Sequence, residues 1–141
     1  MALLGARALQ KRVDTKFILQ FDMLQDVLAT LPPEYALVRA GEEPIGQYRT
    51  LYLDTEDYEL VREHHRGRRP RYKVRIRHYV ERRLTFLEIK QKTNANTSLK
   101  ARRPIPYETE VLTDEDRAFI ATHTPLDPAR LVPSLRTDFS R

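Results

Sequence analysis

The chain has 141 residues, 25 Lys and Arg against 20 Asp and Glu, a formal net charge of +5 and no cysteine. That length suits a single domain over residues 1–141, and 40% hydrophobic content is enough to fill one core. The missing cysteines exclude disulfides, thiolate metal sites and cysteine nucleophiles, and suit a cytoplasmic protein. A basic balance of this size suits an anionic partner without specifying one.

Met1 to Gln10 carries a short apolar run broken by Gly5 and Arg7. It is too short for a membrane span and a poor secretory signal, and is expected to be disordered. No transmembrane segment is expected elsewhere. Arg12 to Gln20 reads as a first strand, and Leu24, Val27, Leu28 and Leu31 then follow helical spacing behind an Asp22 cap until Pro32-Pro33. Gln47 to Asp54 alternates as a second strand. Asp54-Thr55-Glu56-Asp57 places caps and acids before a short helix through Tyr58 and Val61 that stops near Gly67.

Tyr72 to Tyr79 and Leu84 to Lys92 read as a hairpin around Glu81-Arg82-Arg83, and Thr93 to Ser98 as a loop. Lys100 to Val111 is expected to be a fifth strand, turning acidic through Glu108 and Glu110. Thr113-Asp114-Glu115-Asp116 caps a helix with Phe119 and Ile120, and three prolines mark an irregular return to a sixth strand, Ser134 to Arg141. No repeat is visible.

The charge is concentrated. From Arg62 to Arg103 the chain holds 15 of its 25 Lys and Arg against only Glu63, Glu81 and Glu88, and the flanking segments are net acidic. Within this third, Lys73, Arg75 and Arg77 recur at every second residue, as do Lys90 and Lys92. An extended strand sends such residues to one face and Val74, Ile76 and Ile89 to the other. Adjacent cationic strands repel each other unless water, acids or a bound anion lie between them. A solvated sheet face alternates in the same way, so the pattern acquires meaning only in combination.

Glu88 shares the cationic face, as a charge partner for Arg75 or Arg77 or as the one candidate metal ligand. Asp14 reads as a salt-bridge or rim residue. His64 and His65 are adjacent on a helix and point apart, so they read as charges at its C-terminal end. His78 has the opposite parity to the basic face and is expected to point outward.

In order along the chain, Arg12-Val13-Asp14-Thr15-Lys16-Phe17, Tyr52-Leu53-Asp54-Thr55, Lys73 to Tyr79, Phe86 to Lys90, Ser98 to Arg102 and Leu135 to Arg141 together resemble the polyphosphate polymerase (VTC) domain of the triphosphate tunnel metalloenzymes. The resemblance implies an α+β fold built on an antiparallel β-barrel of about eight strands with short connecting helices. It also implies that the present chain covers only the N-terminal part of the domain and leaves the barrel incomplete. Its activity would be ATP-dependent polyphosphate synthesis with manganese or magnesium as the divalent cation. Carried over by motif, the phosphate ligands are Lys16, Arg75, Arg77, Lys90, Lys100 and Arg141, with Arg12, Lys73, Lys92, Arg102 and Arg136 in second rank.

The stretch that supplies acidic ligands in the cyclase and triphosphatase branch has Arg12, Asp14 and Lys16 here, which favours the polymerase branch. The implied partners are polyphosphate or a nucleoside triphosphate, and possibly a second chain completing the barrel. Such a chain binds phosphate without catalysing its transfer. Reversing charge at Arg75 or Arg77 is expected to abolish binding with little loss of fold, and Leu135 and Phe139 are expected to be exposed. Two other classes compete. One is a non-catalytic sensor of polyphosphate or inositol polyphosphate, and the other a basic nucleic-acid-binding sheet stacking bases on Tyr72 and Tyr79, of which only Tyr79 has the parity of Arg75 and Arg77.

Overall fold

The computed structural model describes residues 17–36, 45–95 and 97–140. They fall into two units divided between Leu37 and Val38. In the first, a 3-10 turn over Phe21–Met23 runs into a helix, α1, over Leu24–Thr30. None of its residues is buried, and Phe17, Ile18 and Phe21 are exposed.

Two expectations fail here. The described part of the proposed first strand, residues 17–20, has no strand structure, because an extended segment becomes a strand only by pairing and every described pairing is made elsewhere. Arg12, Asp14 and Lys16 lie outside the described residues. Asp22 caps nothing, since it sits inside the 3-10 turn and neither cap position makes a side-chain hydrogen bond. Leu31 does end the helix in an extended conformation, as the residue before a proline must.

The second unit is one antiparallel sheet covered on one face by two helices. Its strands are β1 (Gln47–Asp54), β2 (Arg71–Tyr79), β3 (Leu84–Lys92), β4 (Ser98–Ile105) and β5 (Val132–Ser140), in the spatial order β4-β3-β2-β1-β5. Helix α2 (Glu59–His65) links β1 to β2, and α3 (Asp114–His123) with a 3-10 turn at Pro128–Arg130 links β4 to β5. This is an α+β fold, and among the described residues the sheet does not close: β4 and β5 are its edges.

Alternation sorts the sheet into two faces. On β2, Tyr72, Val74, Ile76 and His78 are buried while Arg71, Lys73, Arg75, Arg77 and Tyr79 are only partly so. The buried set joins Leu51, Leu53, Leu87 and Ile89 from neighbouring strands, Leu60 from α2 and Ile120 from α3. Burying each such aliphatic side chain is worth about 1.5–3 kcal/mol. Tyr72 is therefore core, and its hydroxyl accepts from Gln91 Nε2 at 3.0 Å.

Local chemistry places the helices. The buried Asp54 carboxylate accepts N–H bonds from Thr55, Leu60 and Val61 at 2.8–3.0 Å, so the end of β1 supplies the acceptor that the start of α2 lacks. At α3, Thr113 and Asp116 form a reciprocal capping box.

Strand β4 stops at Ile105, six residues before the expected end. Pro104 and Pro106 flank that point and Glu108 has a positive φ of 63°, so Glu108 and Glu110 lie on an irregular segment. His78 also departs from expectation. It is on the face away from the cations but is 2% exposed rather than turned to solvent. Thr85 Oγ1 lies 2.8 Å from its Nδ1 and Glu110 Oε1 lies 3.5 Å from its Nε2, so the irregular segment folds over it. Burial lowers the His78 pKa and Glu110 only partly offsets this.

Candidate anion-binding face

Strand register arranges the face opposite the helices in rows. Arg71 of β2 stands opposite Lys92 of β3, which pairs with Ser98 of β4. The next row is Lys73, Lys90 and Lys100, one lysine on each of three adjacent strands. Then come Leu135, Tyr52, Arg75, Glu88 and Arg102, and after them Thr137, Thr50, Arg77, Phe86 and Pro104. The last row is Phe139, Tyr48, Tyr79 and Leu84. The face is cationic at one end and aromatic at the other.

Glu88 is the pivot. Its side chain is 1% exposed, and Oε2 accepts from Arg75 Nε at 2.9 Å and from Nη2 at 2.7 Å. Oε1 accepts from Lys100 Nζ at 2.9 Å and from the Tyr79 hydroxyl at 3.2 Å. Burial pushes the Glu88 pKa up, but Lys100 and Arg75 outweigh it and hold the carboxyl below its ordinary value. Arg75 also donates to the Tyr52 hydroxyl at 3.3 Å, and its guanidinium lies 5.9 Å from that ring's centroid.

Arg77 is held differently. Its Nε donates to the buried Thr50 hydroxyl at 3.0 Å, and its guanidinium carbon lies 5.7 Å from the Tyr48 ring and 5.6 Å from the Phe139 ring. Those two rings are nearly parallel, 5.2 Å apart. Neutral partners orient this cation without cancelling its charge. Arg102 lies 4.9 Å over Phe86 in a similar contact.

The lysine row stores repulsion. Lys73 has its pKa lowered, first by burial and then by Lys90, Arg71 and Arg75, with Tyr52 opposing. Its Nζ also lies 3.4 Å from His64 Nε2, while His64 Nδ1 accepts from Arg71 Nε at 3.1 Å. Burial and these cations lower the pKa of His64.

Of the residues picked out by sequence, Lys73, Arg75, Arg77, Lys90, Lys92, Lys100 and Arg102 thus share one face. Arg136 does not, because it pairs across from Leu51 on the other face and bonds Glu110 at 2.5 Å. No register shift occurs between Leu135 and Ser140; the one irregularity lies at Tyr52/Leu53. Arg12, Lys16 and Arg141 lie outside the described residues. Tyr48, Thr50, Tyr52, Phe86 and Phe139 also belong to the face, which reading by sequence missed. Their own strands do alternate, but only the register between strands puts them beside the cations.

A divalent cation does not fit the described residues of this face. Glu88 is its central carboxylate and both its oxygens are taken by cations and a hydroxyl. The Asp54 carboxylate is committed to α2, and among the described residues no three His, Asp or Glu side chains gather to hold a metal. A cleft of about 430 Å³ lies between β4 and α3, with Leu99, Ala101, Phe119 and His123 in its lining. Lys100 and Arg102 of the cationic face also line this cleft along β4, but Lys73, Arg75, Arg77 and Glu88 do not, so it does not define the site. No helix among the described residues is long and apolar enough to cross a membrane.

Comparison with known proteins yields one family. The model of the VTC domain matches residues 11–124. No curated protein matches the chain.

Proposed function

The chain belongs to the VTC domain family, and from that premise we propose that its cationic sheet face binds a linear polyphosphate or triphosphate chain. The observation that carries the proposal is the row Lys73, Lys90 and Lys100. Like charges placed directly opposite each other across strands destabilise a sheet; Glu88 pairs with Lys100, and the remaining charge of the row makes sense where a ligand neutralises it. Arg75 and Arg77 continue the positive surface along β2 by about 7 Å per row. Arginine grips two phosphate oxygens in a fork and lysine offers a mobile point charge, so a mixed set can hold a chain of phosphates at several places.

Binding, not turnover, is the role proposed for these residues. The parent activity implied by the family, ATP-dependent polyphosphate synthesis, moves a terminal phosphate with the help of manganese or magnesium, which would neutralise charge developing at the reacting phosphate. The described side chains neutralise and orient phosphate but do not gather metal ligands. That observation also favours the second reading, a sensor that binds polyphosphate or inositol polyphosphate without transferring it. A cytoplasmic location is part of the proposal, in keeping with a chain that has no cysteine.

The test is a thermal melt with and without inorganic tripolyphosphate, for the parent and Lys90→Ala. The parent should gain stability with ligand, and Lys90→Ala should lose most of the gain while melting normally alone. Equal gains in both proteins would remove the lysine row from the site. Displacement of bound tripolyphosphate by single-stranded nucleic acid at equal phosphate and fixed salt would favour the nucleic-acid reading instead.

A further inference from the structure

We propose that the free edge of β5 is a self-association surface whose partner is a second copy of this chain, paired antiparallel through Leu135–Phe139. Both edges of the sheet carry backbone groups with no neighbouring strand among the described residues. The two edges differ. Strand β4 carries Lys100, Arg102 and Arg103 and reaches Pro104 near its end, the charge and proline that keep an edge from pairing. On β5, Pro133 and the irregularity at Tyr52/Leu53 blunt only the start, and from Leu135 to Ser140 the pairing with β1 is regular. That run is left open to a further strand.

The run is complementary to itself. The segment reads Ser134-Leu135-Arg136-Thr137-Asp138-Phe139-Ser140, and a twofold axis through Thr137 sets Leu135 opposite Phe139 and Arg136 opposite Asp138, each pair occurring twice. Residues directly opposite each other are the ones that interact across an antiparallel pair, apolar with aromatic and cation with anion. Turned back on itself about Ala101, β4 would instead set Lys100 against Arg102. On β5 the side chains are open to a partner: Leu135 is 56% and Phe139 41% exposed, and Asp138 is exposed. Asp138 stands opposite Arg49, whose guanidinium is held by Glu108 at 2.7 Å and by Tyr107, so among the described residues Asp138 has no ion pair. Arg136 bonds Glu110, but its side chain remains 52% exposed and a guanidinium has five N–H donors to share. An axis normal to the sheet keeps both cationic faces on one side, giving a continuous sheet with five strands from each copy and Phe139, the ring beside Arg77, at the seam.

The test uses the full chain without ligand. Light scattering after gel filtration over a concentration series should give twice the 16.6 kDa chain mass. Asp138→Arg should weaken association at least about tenfold, because two like-charged pairs then face each other, and so should Arg136→Asp. Mixing these two variants should restore dimers, since each supplies the charge the other lacks. The chain has no cysteine, so a single introduced thiol reports on one position. Thr137→Cys should form a disulfide-linked dimer under mild oxidation, the two thiols meeting on the axis, whereas Leu99→Cys on β4 should stay unlinked. Crosslinking needs neither charge variant, so it decides the outcome where Arg136→Asp does not fold. A monomer at every concentration, a dimer indifferent to Asp138→Arg, or faster linking through Leu99→Cys would overturn the β5 interface.

Discussion

Arg75 and Glu88 stand directly opposite each other on β2 and β3, and two guanidinium N–H groups close on one buried carboxylate oxygen. This pair decides how the cationic face can be tested. Arg75→Glu would set a second carboxylate against Glu88 in a site with little solvent, so it should damage the fold as well as binding. The expectation that reversing either arginine spares the fold is therefore kept for Arg77, whose partners are Thr50 and two rings.

For Arg77→Glu we expect loss of the stabilisation by tripolyphosphate, with an unliganded melt only a few degrees below the parent. Differential scanning fluorimetry across a tripolyphosphate series measures both quantities at once. Retained stabilisation would take Arg77 out of the binding set.

Glu88→Gln should destabilise the unliganded protein by about 2–3 kcal/mol, since Arg75 and Lys100 lose the anion they share and the site is only partly open to water. Tripolyphosphate should then stabilise the variant more than the parent, because a bound anion replaces the missing charge. Urea unfolding with and without ligand checks this, and a smaller ligand effect in the variant would contradict it.

Acid should weaken the fold in two stages. His78 has a folded pKa below its ordinary value of about 6.5, so the unfolded chain binds the proton more readily and stability falls as pH drops below that value. Glu88 is likewise depressed, so its contribution is present above about pH 4.3 and is lost on further acidification. Melting temperature recorded from pH 8 to pH 3 should show both declines. His64, whose pKa is also lowered, adds to the first decline; His78→Gln should reduce the first decline and Glu88→Gln the second, and profiles that keep their shape would sink the assignment.

Asp54→Ala should cost about 1–2 kcal/mol by removing the acceptor for the N–H groups at the start of α2. Hydrogen exchange should show Leu60 and Val61 amides losing protection before the β2–β3 hairpin does. Unchanged protection there would mean that packing of Leu60 holds the helix without the carboxylate.

Much of the fold was legible because it rests on local rules. The alternation in Arg71–Tyr79 marks a strand with one buried face wherever it lies, and the Thr113–Asp116 box starts α3 by bonds within four residues. Arg12 to Gln20 also reads as a strand, yet residues 17–20 form none, because an extended segment becomes a strand only when a partner accepts its hydrogen bonds.

The sequence by itself determined that Lys73, Arg75 and Arg77 share a face and that Lys90 shares one with Glu88, because side-chain direction along a strand has a period of two residues. Tertiary structure alone decided which residues of different strands stand in one row. Register set Lys100 beside Lys90, sent Arg136 to the other face, and brought Tyr48 and Phe139 to Arg77 from 29 and 62 residues away along the chain. No local propensity encodes such pairings, since register is chosen by the burial of a whole face and by the geometry of distant turns.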